Sequence, residues 1–381
     1  MNDLRAPQGF KLSATEAGIK KAGLDLCLIS SDRPAVTAAV FTRNAFPAAP
    51  VLLDRANLQE SGHITRAILV NSGNANASNG VSGMDAARRC AAQVAAGLGC
   101  SPSEVFISST GVIGRPLPTE KICSAVPNLI ESLSPRNVDR FARAIMTTDT
   151  VPKVASADIR GATILGFAKG AGMIHPNMAT MLSFILTDAK VDYADLERAL
   201  KTAVDLSFHS ISIDGDTSTN DTVAVFANGA SGVTLSLAVL TAKLTEVCQE
   251  LAKAIVRDGE GATKFIELII EGAPSDEAAR EIGRTIARSP LVKTAIYGCD
   301  PNWGRIIAAI GNAGIPLTSE RVDLYIDEIP LMGGDLKMAS ERMNFPNVTL
   351  RVALNSGSGN ARVWTCDLTE DYIRINADYT T

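Results

Sequence analysis

Lys169-Gly170-Ala171-Gly172-Met173-Ile174-His175-Pro176-Asn177-Met178-Ala179-Thr180-Met181-Leu182-Ser183-Phe184-Ile185-Leu186-Thr187-Asp188 is the stretch on which the chain's reading turns. Gly170 and Gly172 free the backbone for positive φ or a close approach. Pro176 fixes its own φ and pushes His175 toward an extended conformation. Small Ala179 leaves its carbonyl sterically open. Met181 to Leu186 is apolar and of strand length, and it stops at polar Thr187-Asp188. The Thr180 hydroxyl therefore stands where a tight loop enters a buried strand, a junction at which backbone strain can be stored. The same pattern also suits an ordinary loop entering a core strand, with Thr180 hydrogen-bonded to its neighbours.

The chain has 381 residues, 46% of them hydrophobic, and a net charge of −5. That is enough for two domains, and the scattered Lys and Arg residues give no nucleic-acid groove and no membrane surface. No apolar run reaches spanning length and Met1 to Phe10 lacks a signal-peptide pattern, so a cytoplasmic location is the default. Seven widely spaced cysteines without Cys-x-x-Cys, and only His63, His175 and His209, argue against a disulfide framework or a metal centre. No phosphate loop, dinucleotide fingerprint or Gly-x-Ser-x-Gly elbow is present, and no cofactor is expected. Asp214, Asp216 and Ser218 begin like a calcium loop. Thr219 at the required glycine and Val225 at the required glutamate exclude one.

Outward from the central stretch, Thr163–Lys169 reads as the strand feeding it, which would bury Lys169 and leave its charge in need of a partner. Leu24–Ser30 and Val36–Thr42 read as two strands around a turn at Ser31–Pro34, and Val51–Leu53 as a short strand. Ala67–Asn71 runs into the small polar loop Asn71 to Asn76. Val105–Ser109 ends in Ser109-Thr110-Gly111, where a hydroxyl and a backbone amide meet, either a glycine turn or an oxyanion hole. Helices are expected over Ala86–Ala96, Thr119–Leu133, Val138–Met146, Tyr193–Phe208, Leu237–Arg257 and Ser275–Ile286. Thr147-Thr148-Asp149-Thr150 reads as a capped loop, Ile211–Asp221 as a turn beside the site, and Glu260 as a turn residue between two glycines. Asp300 and Arg305 have the charges of a structural ion pair. Residues 290–381 read as a second, smaller α/β unit after a main unit over 1–289.

Met178-Ala179-Thr180-Met181 within this setting resembles the self-processing site of the ornithine acetyltransferase (glutamate N-acetyltransferase) family of arginine biosynthesis. The likeness extends from the Asn71 loop to the C-terminus. It implies an αββα sandwich of the N-terminal-nucleophile type with a second, smaller α/β domain. It implies cleavage between Ala179 and Thr180, giving chains 1–179 and 180–381 that stay together as an α2β2 heterotetramer. Thr180 would then be the nucleophile, its freed α-amine (reference pKa about 8) serving as base. Thr110 and Gly111 would hold the oxyanion. Thr147, Lys169, Thr180, Glu260, Asn376 and Thr381 would bind substrate, with Thr148 an alternative to Thr147. The activity implied is acetyl transfer from N-acetylornithine to glutamate, with acetyl-CoA left open as another donor. A hydrolase of the same nucleophile type, with water as acceptor, is the rival.

Overall fold

The structure is a computed structural model that describes residues 4–175, 181–317 and 321–378. Pro176, Ala179, Thr180 and Thr381 lie outside the described residues. The strands are β1 (Phe10–Thr15), β2 (Leu26–Phe41), β3 (Ile64–Asn74), β4 (Val105–Val112), β5 (Lys153–Ile159), β6 (Ala162–Lys169), β7 (Leu182–Thr187), β8 (Ile211–Ser212), β9 (Thr222–Ala227), β10 (Phe265–Ala273), β11 (Asp323–Ile326), β12 (Ile329–Pro330), β13 (Asn347–Ala353) and β14 (Gly359–Cys366). The helices are α1 (Ala49–Glu60), α2 (Gly80–Leu98), α3 (Thr119–Glu131), α4 (Val138–Ala144), α5 (Tyr193–Asp205), α6 (Leu237–Arg257), α7 (Asp276–Ala287), α8 (Pro290–Tyr297), α9 (Trp303–Gly311), α10 (Leu336–Met343) and α11 (Glu370–Asp378).

One sheet runs in the order β4-β3-β2-β9-β7-β6-β5, with β1 added alongside β2. Its strands alternate faces with period two. Cys27 and Ile29 of β2 join Ile68, Val70, Phe106, Phe167, Phe184 and Phe226 in one core. Leu28 and Leu69 point the other way, beneath α2 and α3. Val223, Val225 and Ile185 point beneath α5 and α6. In a flat sheet β4 and β9 would stand three strand spacings apart, about 14 Å. Yet the Phe106 and Phe226 rings meet edge to face at 5.6 Å. The sheet therefore folds over along β2, giving two β layers with helices outside each, the αββα arrangement implied above. Burial of the six phenylalanines of this core, Phe10, Phe106, Phe141, Phe167, Phe184 and Phe226, each worth about 1.5–3 kcal/mol, favours closure.

The second sheet runs β12-β11-β13-β10-β14-β8. The region after residue 290 thus shares its sheet with β10 and β8. One face is covered by α7 and α9, and from β14 Trp364 reaches back into the core beneath α6.

Three expectations need correcting. Leu24–Ser30 and Val36–Thr42 are one strand, β2, and Ser31–Pro34 is an irregularity in which the register with β3 slips. Such a bulge leaves the extra residues unpaired, so Pro34 has no ladder donor to lose. Val51–Leu53 is not a strand but part of α1. Pro50 presets the first turn, and Val51, Asp54 and Leu58 bury one helical face. Arg305 Nη1 donates to the Leu291 carbonyl (3.0 Å) and Asp300 accepts from Asn302 Nδ2 (2.9 Å). Among the described residues Asp300 and Arg305 form no ion pair with each other. A further strand, β5, forms over Lys153–Ile159, where none was expected, as the edge partner of β6.

Candidate active site

β6 and β7 are antiparallel neighbours whose register pairs Lys169 with Leu182. The central motif is consequently the connection between two buried strands, and both its ends open on one cavity. This cavity occupies about 840 Å3, its open mouth included. Thr110, Gly111, Thr147, Thr148, Lys169, Glu260 and Asn376 all line it, although they come from five separate stretches of chain. Met181, the residue that follows Thr180, lines it too.

Thr110 and Gly111 pair with Ser72 and Gly73 of β3 at the point where the register of the two strands becomes irregular, at Gly73-Asn74. Gly111 has φ 130°, and a Cβ there would lie 2.4 Å from the Gly73 carbonyl carbon, so no other residue fits without moving backbone. Asn220 holds this corner. Its Nδ2 donates to the carbonyls of Ala75 (2.6 Å) and Ser109 (2.9 Å), and its Oδ1 accepts from Thr219 Oγ1 (2.6 Å). Lys169 Nζ donates to Thr110 Oγ1 at 3.3 Å. An ammonium occupying that oxygen's lone pair leaves the threonine proton to be donated elsewhere, as an oxyanion donor requires. Burial lowers the Lys169 pKa, with Lys153 acting the same way and Asp149, Asp221 and Glu260 opposing. Among the described residues Lys169 makes no ion pair, and its hydrogen-bond partner is this hydroxyl.

Asp149 organises the wall behind Lys169. Its Oδ1 accepts from Lys153 Nζ (2.6 Å) and from the Gly170 N–H (2.6 Å), and its Oδ2 from the Thr147 N–H (2.9 Å). Burial alone would raise this carboxyl, but Lys169, Lys153 and the Gly170 amide outweigh it and hold the pKa at about 2. Lys153 also pairs with Asp258 at 2.5 Å. Thr150 in turn donates to Asp258 from its amide (3.0 Å) and its hydroxyl. This chain of contacts positions the Thr147-Thr148 rim.

Glu260 comes from the turn after α6, anchored by its N–H to the Ala171 carbonyl (2.8 Å). Its carboxylate passes so close to Gly172 that a Cβ there would meet it at 2.4 Å. Asn376, on α11, donates from Nδ2 to Glu260 Oε2 at 2.9 Å. The C-terminal segment is thus a helix up to Asp378 and reaches the cavity rim through Asn376.

The loop entering the central motif is clamped. Asp214 accepts from the amides of Met173 (2.5 Å) and Ile174 (2.8 Å), and Tyr372 adds its hydroxyl at 3.3 Å. Met173 has φ 55°, a conformation that costs a non-glycine residue energy. His175 Nδ1 lies 3.1 Å from Ser212 Oγ, and its Nε2 lies 3.4 Å from Arg284. Burial, aided by Arg284 and Arg288, brings its pKa down to about 4. Asp214, Asn220 and Asp221 were read only as part of a turn beside the site; their roles as clamp, corner brace and cavity wall depend on contacts of long sequence separation. Among the described residues no three His, Cys, Asp or Glu side chains are grouped as a metal ion would require.

A family model described as the ArgJ family matches residues 11–381. The chain belongs to the ArgJ family. An arginine biosynthesis bifunctional protein ArgJ from Geobacter sulfurreducens is 48% identical over 392 residues, covering 98% of this chain and 99% of the relative. The protein of that name from Thermus thermophilus is 47% identical over 384 residues, covering 99% of this chain and 100% of the relative. Among solved structures, the ArgJ protein of Bacillus halodurans is 41% identical over 51% of this chain and 98% of that chain, with a TM-score of 0.49.

Proposed function

We propose that this chain cuts itself between Ala179 and Thr180 and then transfers acetyl from N-acetylornithine to glutamate through an acetyl-Thr180 ester. The observation that carries the reading is the cavity shared by Met181, Thr110, Gly111, Thr147, Lys169, Glu260 and Asn376. In the first stage the Thr180 hydroxyl attacks the Ala179 carbonyl, and water opens the resulting ester. In the second, the freed Thr180 amine takes the hydroxyl proton while Oγ attacks the acetyl carbonyl. The Gly111 N–H and the Thr110 hydroxyl, backed by Lys169, stabilise the oxyanion. Ornithine leaves with the proton, and the glutamate amine attacks the ester in reverse order. Thr147, Glu260, Asn376 and Thr381 hold the amino-acid groups. The bifunctional name of the relatives supports acetyl-CoA as a second donor. The chains 1–179 and 180–381 remain associated as an α2β2 assembly in the cytoplasm; among the described residues no helix is long and apolar enough to cross a membrane.

Scaling 40.0 kDa by 179/381 gives fragments of about 19 and 21 kDa. Intact mass should show these two species from active wild-type protein and a single chain from Thr180→Ala. A two-substrate assay should then form N-acetylglutamate from N-acetylornithine. Deacetylation without transfer to glutamate would establish the hydrolase instead, and an active protein consisting only of full-length chain would overturn the mechanism.

A further inference from the structure

Asp221 is 2% exposed and lines the cavity, and among the described residues its Oδ2 is buried without a hydrogen-bond partner. A buried carboxyl oxygen left so is costly, and groups of this kind call for an explanation. Ser218 and the Met181 backbone act on the carboxyl from beside it, and Asn220 is committed elsewhere. Asn220 uses both ends of its amide on Ala75, Ser109 and Thr219. Lys169, from β6, is the cation that faces Asp221, and among the described residues the two form no ion pair. Lys169 is itself surrounded by Asp149, Lys153 and Glu260. On the backbone side, β9 runs parallel to β7 with Thr222 beside Leu182, and the Thr222 N–H donates to the Met181 carbonyl at 3.0 Å. Asp221 therefore stands one residue ahead of Thr222, next to the strand that begins immediately after Thr180.

We infer that Asp221 is the proton partner of the Thr180 amine, acting as acid while the chain is cut and as the ammonium's counter-ion afterwards. This rests on the proposed processing at Thr180. Before cutting no amine exists, and burial keeps the Asp221 carboxyl well above its usual range, opposed by Ser218 and Lys169. During cutting, Thr180 Oγ bonds to the Ala179 carbonyl carbon, the C–N bond breaks, and the hydroxyl proton passes to the nitrogen. The Asp221 carboxyl adds its own proton, turning amine into ammonium and trapping the ester. Water then opens the ester to the Ala179 carboxylic acid and the Thr180 hydroxyl. In transfer, the Asp221 carboxylate raises the pKa of the Thr180 amine while Lys169 lowers it. Asp221 is thus a positioning residue that sets the strength of the base.

The test compares wild type, Asp221→Asn and Thr180→Ala. Asp221→Asn should cut at least tenfold more slowly by intact-mass time course. In its cut fraction, the acid limb of kcat/KM should move down by about one to three pH units, because the base loses its anion. A structural defect alone would lower kcat/KM at every pH and leave the limb in place. Wild-type cutting speed together with an unmoved limb overturns the assignment. If Asp221→Asn does not fold, carboxyl-labelled aspartate NMR decides without it. At pH 7 one buried aspartic acid should be protonated in uncut Thr180→Ala and ionised in cut wild type. The same state in both overturns the inference. A wild-type chain that stays whole overturns the processing reading itself, which separates the two failures.

Discussion

Lys153 and Lys169 are both buried lysines on neighbouring strands, β5 and β6, and both feel Asp149. Lys153 is saturated. Asp149 and Asp258 each lie within 2.6 Å of its Nζ, and each carboxylate is further held by backbone amides. Lys169 among the described residues has a single threonine hydroxyl at 3.3 Å. The first arrangement holds strand ends and a rim loop in place. The second leaves charge exposed to a cavity. A buried ion becomes structural when its partners come from the protein, and reactive when some of them must come from whatever enters.

The largest effect expected from this contrast is on stability. Lys153→Met leaves Asp149 and Asp258 buried without their cation and should cost about 3–5 kcal/mol in denaturant unfolding. Lys169→Met should behave oppositely. Stability should stay within about 1 kcal/mol of wild type, while kcat/KM for acetyl transfer falls roughly 10- to 150-fold through loss of a charged hydrogen bond. Equal destabilisation by both changes would erase the distinction drawn between the two lysines.

Acid sharpens the comparison further. Asp149 is held at about 2 from an ordinary 3.8. A depressed carboxylate contributes stability above its unfolded pKa and loses it as pH falls through the folded value. Between pH 4 and 2 the protein should therefore lose about 2 kcal/mol from this residue. His175 acts in a separate, higher window. Its folded pKa of about 4 lies below the ordinary 6.5, so the unfolded chain binds the proton first and stability declines as pH drops from 6.5 toward 4. Melting curves against pH should show both slopes, and His175→Gln should remove only the upper one. The smallest change is at the rim. Asn376→Ala removes the 2.9 Å bond to Glu260 and should weaken use of N-acetylornithine about tenfold, or about 1.4 kcal/mol, with cutting unaffected. Loss of cutting in this variant would show that α11 supports the fold rather than the pocket.

Much of this was legible in the residues, because local pattern carries it. Leu237–Arg257 is a helix over the whole span its apolar spacing indicates, and Ser275 caps α7 at the start of the helix expected over Ser275–Ile286. Thr110, Gly111, Glu260 and Asn376 were named by resemblance, and all four line one cavity. What could not be read is long-range. Val51-Leu52-Leu53 is apolar enough for a strand, and the start that Pro50 presets together with packing against α2 and β4 makes it helix. Asp258 pairs with Lys153 across 105 residues, a contact no periodicity encodes. Asp221 resembles any turn aspartate until β9 is seen beside β7. The fold-over of the first sheet depends on ring contacts such as Phe106 with Phe226, from strands that sequence order keeps far apart.

The strand order β2-β9-β7-β6 carries a last consequence. With the proposed cut, β9 and β7 belong to one polypeptide and the strands on either side of them, β2 and β6, to the other. The two pieces are interleaved in one sheet rather than docked face to face. Folding of the uncut precursor is an intramolecular search, in which the linking loop supplies a high effective concentration of one half for the other. Once cut, the same sheet can be rebuilt only by two chains meeting in solution. Unfolded wild-type protein should therefore recover in a concentration-dependent way, and Thr180→Ala independently of concentration. The enzyme would acquire its nucleophile by giving up the connection that made its own assembly easy.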